Sequence, residues 1–210
     1  MNIIKSLSDI MTEALRFFFS VSGNWGIAIV LLTVAVKLIL YPLTFQSTKQ
    51  MAAMQKLQPK IDELQKKYKD KPDEVQKHMF ELYKKEGVHP LGGCLPMLLQ
   101  LPVFLALFFA VSSNEFKTIL GAAGTKAQFL WIVNLSQPDP TYVMIVLIAL
   151  TTYLTSLTMP GGAAKQQKSM LYLMPGFIAV ISMSFPAGVQ LYWVVQNLLT
   201  IAQQWYILRK

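Results

Sequence analysis

Long apolar runs recur along the chain, over residues 25–45, 91–111, 142–159, 170–185 and 187–208. The first, from Trp25 to Phe45, reaches about 30 Å as a helix, about one hydrocarbon thickness. The pattern predicts an all-α polytopic membrane protein with five transmembrane helices. Pro96 and Pro102 lie in the second run and Pro175 in the short fourth. Prolines are tolerated in membrane helices where neighbours or water re-satisfy the backbone.

The other segments have different periods. Residues 1–22 place Ile3, Ile4, Leu7, Ile10, Met11, Ala14, Leu15 and Phe18 on one helical face, with Lys5, Asp9, Glu13 and Arg16 largely opposite. This predicts an amphipathic helix lying in the membrane interface. Charges interrupt it and no small-residue cleavage site follows, so it is not expected to be a signal peptide. Residues 46–90 form a polar block in which Met51, Met54, Leu57, Ile61, Leu64 and Tyr68 recur every three or four positions, and Val75, Met79 and Leu82 continue after a turn at residues 70–74. Two facing apolar seams predict a cytoplasmic helical hairpin, kinked at Pro59 and stopped at Gly87. Residues 112–140 read as an extracytoplasmic loop with an apolar patch at Phe129–Val133, where Trp131 suits an interfacial anchor. Residues 160–169 read as a short cytoplasmic loop.

Charge sets the orientation. Fourteen of the nineteen Lys and Arg residues fall in 46–90, 160–169 and 209–210, and four in 1–24 and 112–140. The excess of basic residues marks cytoplasmic segments. The expected topology is multi-pass, with the N-terminus outside and the C-terminus in the cytoplasm. With 53% hydrophobic and 14% charged residues, the chain is too apolar for an ordinary soluble domain. Lysines gathered between apolar runs fit loops at a membrane better than a nucleic-acid surface.

The nineteenth basic residue is Lys37, inside the first span about 12 Å from its inner end. A charge there costs at least about 2.5 kcal/mol on insertion scales and needs compensation. A snorkelling lysine is one reading; a wet cavity is the other, and Thr33 and Thr44 on the same face favour it. In the fifth span Gln190, Trp193, Gln196, Asn197, Thr200, Gln203 and Gln204 fall within about 140° of arc. Thr151, Thr155 and Thr158, with Ser156 nearby, line a face of the third span, and Gln100 lies in the second. These groups are either interhelical hydrogen-bonding glue or the walls of a hydrophilic groove around Lys37. No Asp, Glu, His or Arg lies inside any span, so proton- or cation-coupled transport lacks its usual intramembrane groups. A hydrolytic site lacks a carboxylate pair or metal ligands, and Thr33 is the only serine or threonine neighbour of Lys37 on its helix. A single cysteine, Cys94, excludes an internal disulfide or a cysteine-based metal cluster. His78 and His89 read as solvated residues. There is no glycine-rich phosphate loop. No enzymatic activity, metal or cofactor is expected.

Seven segments stand out in order: Gly23-Asn24-Trp25-Gly26, Val36-Lys37 through Tyr41-Pro42-Leu43-Thr44, Leu57-Gln58-Pro59-Lys60-Ile61, Pro90-Leu91-Gly92-Gly93-Cys94-Leu95-Pro96, Gln100-Leu101-Pro102-Val103-Phe104, Phe185-Pro186-Ala187-Gly188 and Leu191-Tyr192-Trp193. Together they resemble the YidC family of membrane protein insertases, which has mitochondrial and chloroplast relatives. Their order and spacing match from Gly23 onward. The resemblance implies a five-helix core in a bacterial plasma membrane and a groove open to cytoplasm and lipid but closed outside. It also implies that Lys37 stands where most bacterial members look to have arginine, a planar fork that lysine does not reproduce. Thr33 and Trp193 match groove positions that meet substrate in the family, and Ser156 stands where a glutamine is often found. The candidate substrate groove is therefore Lys37, Thr33, Gln100, Ser156, Gln190, Trp193, Gln196, Asn197 and Thr200. The sequence does not include the extra first span and periplasmic domain of Gram-negative members or the lipoprotein signal of Gram-positive ones, so it is either a naturally short form or a trimmed one.

The function so implied is that of an insertase or chaperone passing hydrophobic segments of nascent membrane proteins from the cytoplasm into the bilayer. Anionic lipids at the lysine-rich hairpin are a further expected partner, and a Sec-type translocon and the ribosome are candidates. Two alternatives stand beside it. A small membrane channel would conduct ions, and a passive assembly subunit would be indifferent to the charge of Lys37.

Overall fold

The structure, a computed structural model, describes residues 2–69, 71–89, 95–158 and 165–209. The predicted start of the second span at 91–94, including Cys94, and the turn at 160–164 lie outside them. Among the described residues the fold is all helical, with one isolated antiparallel bridge between Phe129 and Ile132. The helices are α1 (Asn2–Ser22), α2 (Trp25–Ile39), α3 (Tyr41–Lys67), α4 (Pro72–Lys85), α5 (Leu95–Ser112), α6 (Asn114–Ala123), α7 (Val143–Thr158), α8 (Lys165–Ser182) and α9 (Ala187–Leu208). A 3-10 turn, Gly124–Ala127, follows α6.

The α1–α2 junction shows how the sequence sets the chain path. Gly23 takes the left-handed conformation (φ +68°) that ends a helix at low cost. Asn24 then caps α2, its side-chain oxygen accepting from the N–H groups of Gly26 (2.9 Å) and Ile27 (3.1 Å). The same amide donates to the Gln128 carbonyl at 2.7 Å, tying the segment after α6 to the cap. Trp25 follows at once, stacked on Phe19 and edge-on to Phe116. With Leu15, Ile29, Leu107, Val111, Leu135 and Ile148 these rings form one apolar core reached by α1, α2, α5, α6 and α7.

Two findings differ from the sequence pattern. The run 25–45 is not one helix: α2 stops at Ile39, Leu40 is a break, and α3 starts at Tyr41 and continues to Lys67. Pro42 explains the position. It has no N–H to offer and its ring crowds the carbonyl four residues back, so the chain breaks just before it. Pro59, by contrast, sits inside α3 without ending it. The second finding is that 112–140 is not a plain loop. Ser113 caps α6 through the Phe116 N–H (3.1 Å), and Phe116 and Leu120 are buried on its inner face.

The arms α3 and α4 form a hairpin on a small core of their own, Leu57, Ile61, Tyr83 and Val88, with Met54, Met79 and Leu82 against it. Lys60 and Glu86 pair across it at 2.7 Å, which holds the Glu86 carboxyl below its ordinary range.

No single helix among the described residues is both long and apolar enough to cross a membrane alone. Two bent pairs pass together: Lys5–Ser22 with Trp25–Ile39, at 117°, and Leu98–Ser112 with Asn114–Ala123, at 58°. The outward faces are strongly apolar. On α7, Val143, Val146, Leu150, Leu154 and Leu157 are exposed, while Met144, Ile148 and Thr151 point inward. On α8, Leu173, Phe177 and Val180 are also exposed. A contiguous apolar surface of this kind needs a non-aqueous neighbour.

Before α7, Asp139 organises the turn. Its carboxylate accepts from the Thr141 N–H and hydroxyl, the Met144 N–H (3.1 Å) and the Trp131 indole (3.3 Å). Burial works to raise its pKa, but the hydrogen bonds from Thr141, Met144 and Trp131 outweigh it and hold the carboxyl below the usual range. A depressed carboxylate stabilises the fold above its unfolded pKa, and that stabilisation disappears as pH falls through the folded value. Acid titration is therefore expected to free the Trp131 turn, read as a fluorescence change of Trp131 below the ordinary carboxylate range. Asp139→Asn should abolish that titration; an unchanged titration in the variant would assign it elsewhere.

Candidate functional site

Lys37 lies in the last turn of α2 and is only 9% exposed. Its amine donates to the Thr200 hydroxyl on α9 at 2.8 Å. Among the described residues no carboxylate pairs with it. The Thr200 hydroxyl donates onward to the Gln196 backbone carbonyl at 2.7 Å. The Gln196 side-chain amide donates to the Gln100 oxygen on α5 at 2.9 Å, and the Gln100 amide donates to the Tyr192 hydroxyl. Lysine, hydroxyl and amides thus form one polar seam joining α2, α9 and α5. Among the described residues the Gln196 side-chain oxygen, buried in the seam, has no hydrogen-bond partner.

The other amides of α9 face elsewhere. Asn197 donates to the Thr151 and Thr152 hydroxyls at 3.1 and 3.0 Å. Thr158 donates to Gln204 at 2.5 Å, both contacts joining α7 to α9. Gln190, fully buried, donates to the Ser182 carbonyl at 2.7 Å at the end of α8. Gln203 donates to Thr44 on α3 at 2.8 Å. The stripe is therefore divided. One edge (Tyr192, Gln196, Thr200, Gln203) meets α5, α2 and α3, and the other (Gln190, Asn197, Gln204) fastens α9 to α8 and α7. At 100° per residue the two edges lie on either side of Trp193.

Of the predicted site residues, the structure brings Lys37, Gln100, Gln196 and Thr200 into one network. Asn197 and Gln190 belong to separate interhelical contacts. Thr33 is fully buried and its hydroxyl returns to the Ile29 carbonyl at 2.6 Å, four residues back on its own helix. Ser156 does the same with Thr152 at 2.9 Å. Trp193 is half-buried, edge-on to Phe104 with ring centroids 5.1 Å apart. Phe104 also packs against Phe185, forming an aromatic patch beside the seam. Tyr192 and Phe104 escaped the polar-pattern reading because both count as apolar. Their signal was positional: Tyr192 lies one turn before Gln196, and Phe104 one turn after Gln100. Among the described residues no cluster of His, Cys, Asp and Glu is placed to hold a metal ion.

The comparisons with known proteins extend over nearly all of this architecture. The chain is 40% identical over 209 residues to the membrane protein insertase YidC of Francisella tularensis subsp. novicida (strain U112), and equally so to that of subsp. tularensis (strain WY96-3418). Each alignment takes in 99% of this chain and 36% of the relative. The chain thus spans about a third of the length of the curated relatives it matches. A crystal structure of an active YidC insertase with its first transmembrane domain resolved superposes with a TM-score of 0.78 at 29% identity, over 96% of this chain and 46% of that one. The model of the 60Kd inner membrane protein family matches residues 17–210. The chain belongs to the 60Kd inner membrane protein family, to which these YidC insertases are related by sequence and by fold.

Proposed function

We propose that this chain is a membrane protein insertase, not an enzyme, that takes hydrophobic segments of nascent membrane proteins from the cytoplasm into the bilayer. The observation that carries the reading is Lys37: a buried amine whose partner among the described residues is a neutral hydroxyl, in a seam of amides between helices whose outer faces are apolar. A charge left in that state gains by receiving an anionic group. In the proposed cycle a short acidic outer segment of the substrate enters from the cytoplasm and replaces Thr200 on the amine. The amides of Gln196 and Gln100 then hydrogen-bond its polar groups part-way across, lowering the desolvation cost. The apolar remainder slides sideways into lipid, driven by apolar burial. Trp193 and Phe104 would offer that segment an aromatic surface. The topology proposed with it is five spans, N-terminus outside and C-terminus inside, with the α3–α4 hairpin on the cytoplasmic side.

The test is insertion into proteoliposomes holding only this protein. The substrate is a small single-span protein with an acidic outer tail, scored by protease protection. Protein-dependent insertion that falls with Lys37→Ala is expected. Insertion untouched by Lys37→Ala would remove the charged centre. No insertion by folded protein would favour the channel or passive-subunit alternatives.

A further inference from the structure

At the elbow just past the break at Leu40, a cavity of about 540 Å³ lies between α3 and α9, lined by Tyr41, Pro42, Phe45, Gln46 and Lys49 from the first turns of α3 and by Tyr206 and Ile207 from the end of α9. It is separate from the Lys37 seam, none of whose residues lines it. Its walls are mainly aromatic and apolar, with Gln46 and Lys49 adding polar groups. The Tyr41 and Phe45 rings lie 5.9 Å apart, and the Lys49 amine sits over the Phe45 ring at 4.4 Å. Beside it, Arg209 lies over the exposed Trp205 ring at 4.8 Å. Above this level Leu38 and Ile39 are exposed apolar residues.

Three features identify the occupant. Aromatic rings with polar tips, set between exposed aliphatic side chains and basic groups, mark the headgroup level of a membrane. The local charge has one sign: residues 41–55 and 187–210 contain no Asp or Glu, and their charged residues are Lys49, Arg209 and Lys210. The cavity also offers an apolar cleft and a cation next to each other, as the glycerol end of a phospholipid requires. We propose that this elbow is a binding site for an anionic phospholipid. Its phosphate lies against Lys49 and Gln46, and the first carbons of its acyl chain lie between Tyr41, Phe45, Tyr206 and Ile207. The site depends on the chain's membrane embedding and not on the insertase reading. A lipid so placed spans the α3–α9 contact, fixing the hairpin's first arm relative to α9.

The experiment uses the full chain in phosphatidylcholine nanodiscs doped with a photoactivatable phosphatidylglycerol, with cross-linked peptides mapped by mass spectrometry. Labelling concentrated on residues 41–49 and 205–209 is expected. One lysine's attraction near an anionic surface corresponds to about a fivefold change in occupancy. Lys49→Gln should therefore lower labelling there by about that factor, Lys49→Arg should preserve it, and the exposed Lys56→Gln on the same helix should leave it unchanged. Phosphatidylcholine carrying the same photoactivatable group should label the elbow no more than the rest of the apolar belt. Even labelling around the belt, equal labelling by the two lipids, or indifference to Lys49→Gln would overturn the proposal. So would loss of the elbow label on adding a hydrophobic substrate peptide, which would make the cavity a peptide site.

Discussion

Lys37→Glu is expected to block insertion of substrates with acidic outer tails while Lys37→Arg retains it. At an effective dielectric constant of about 20, two unit charges 4 Å apart interact by about 4 kcal/mol. Reversing the sign turns that attraction into repulsion, and even about a third of it is a tenfold effect. Thr200, Gln196 and Gln100 offer hydrogen bonds of either polarity, so a glutamate in this seam is tolerated structurally but repels the tail. Substrate charge provides the control. A tail rewritten from Asp and Glu to Asn and Gln should enter wild type and Lys37→Glu at similar rates. Equal insertion of the acidic substrate by Lys37→Arg and Lys37→Glu would end the charge-attraction mechanism while leaving the insertase in place.

Gly26→Val is expected to destabilise the fold at the α1–α2 junction. A Cβ at Gly26 would overlap the Phe129 ring at its Cβ and Cγ, close to the backbone and not at a flexible tip. Phe129 cannot easily withdraw, because its N–H and carbonyl are both paired with Ile132 at 2.9 Å. Overpacking of this kind costs about 1–3 kcal/mol, or roughly 2–12 °C in Tm at about 2–4 °C per kcal/mol for a chain of this size. Helix propensity alone favours valine over glycine by a few tenths of a kcal/mol, so the two effects have opposite signs and a melting curve separates them. Phe129→Ala in the same chain should recover part of the loss. A double variant no more stable than the sum of the two single changes would place the strain elsewhere.

Much of this architecture was legible in residue order. Asn24 after Gly23, Pro72 with Asp73 and Glu74 behind it, and the Met54–Leu57–Ile61 seam state their helix ends and faces locally. The break at Leu40 was harder to see, because the run through Phe45 remains apolar. Pro42 carried the signal, but prolines are common in membrane helices, so composition outweighed it. Within the candidate site, periodicity located the polar stripe of α9 but not its division. A helical wheel shows which residues share a face; which neighbour each one meets depends on where α7, α2 and α5 pack. Thr33 and Ser156 show the same limit from the other side, since a hydroxyl on a promising face can satisfy itself on the carbonyl four residues back.

The divided stripe of α9 makes the bundle electrostatically lopsided. The seam toward α7 and α8 is closed by amides whose partners are hydroxyls and a carbonyl of the bundle itself, so parting it exposes polar groups to lipid. The seam toward α2 and α5 contains a charge whose present partner is replaceable by water or by an incoming carboxylate. Helix α9 thus has two unlike sides: one whose polar groups are matched within the bundle, and one that carries an exchangeable charge.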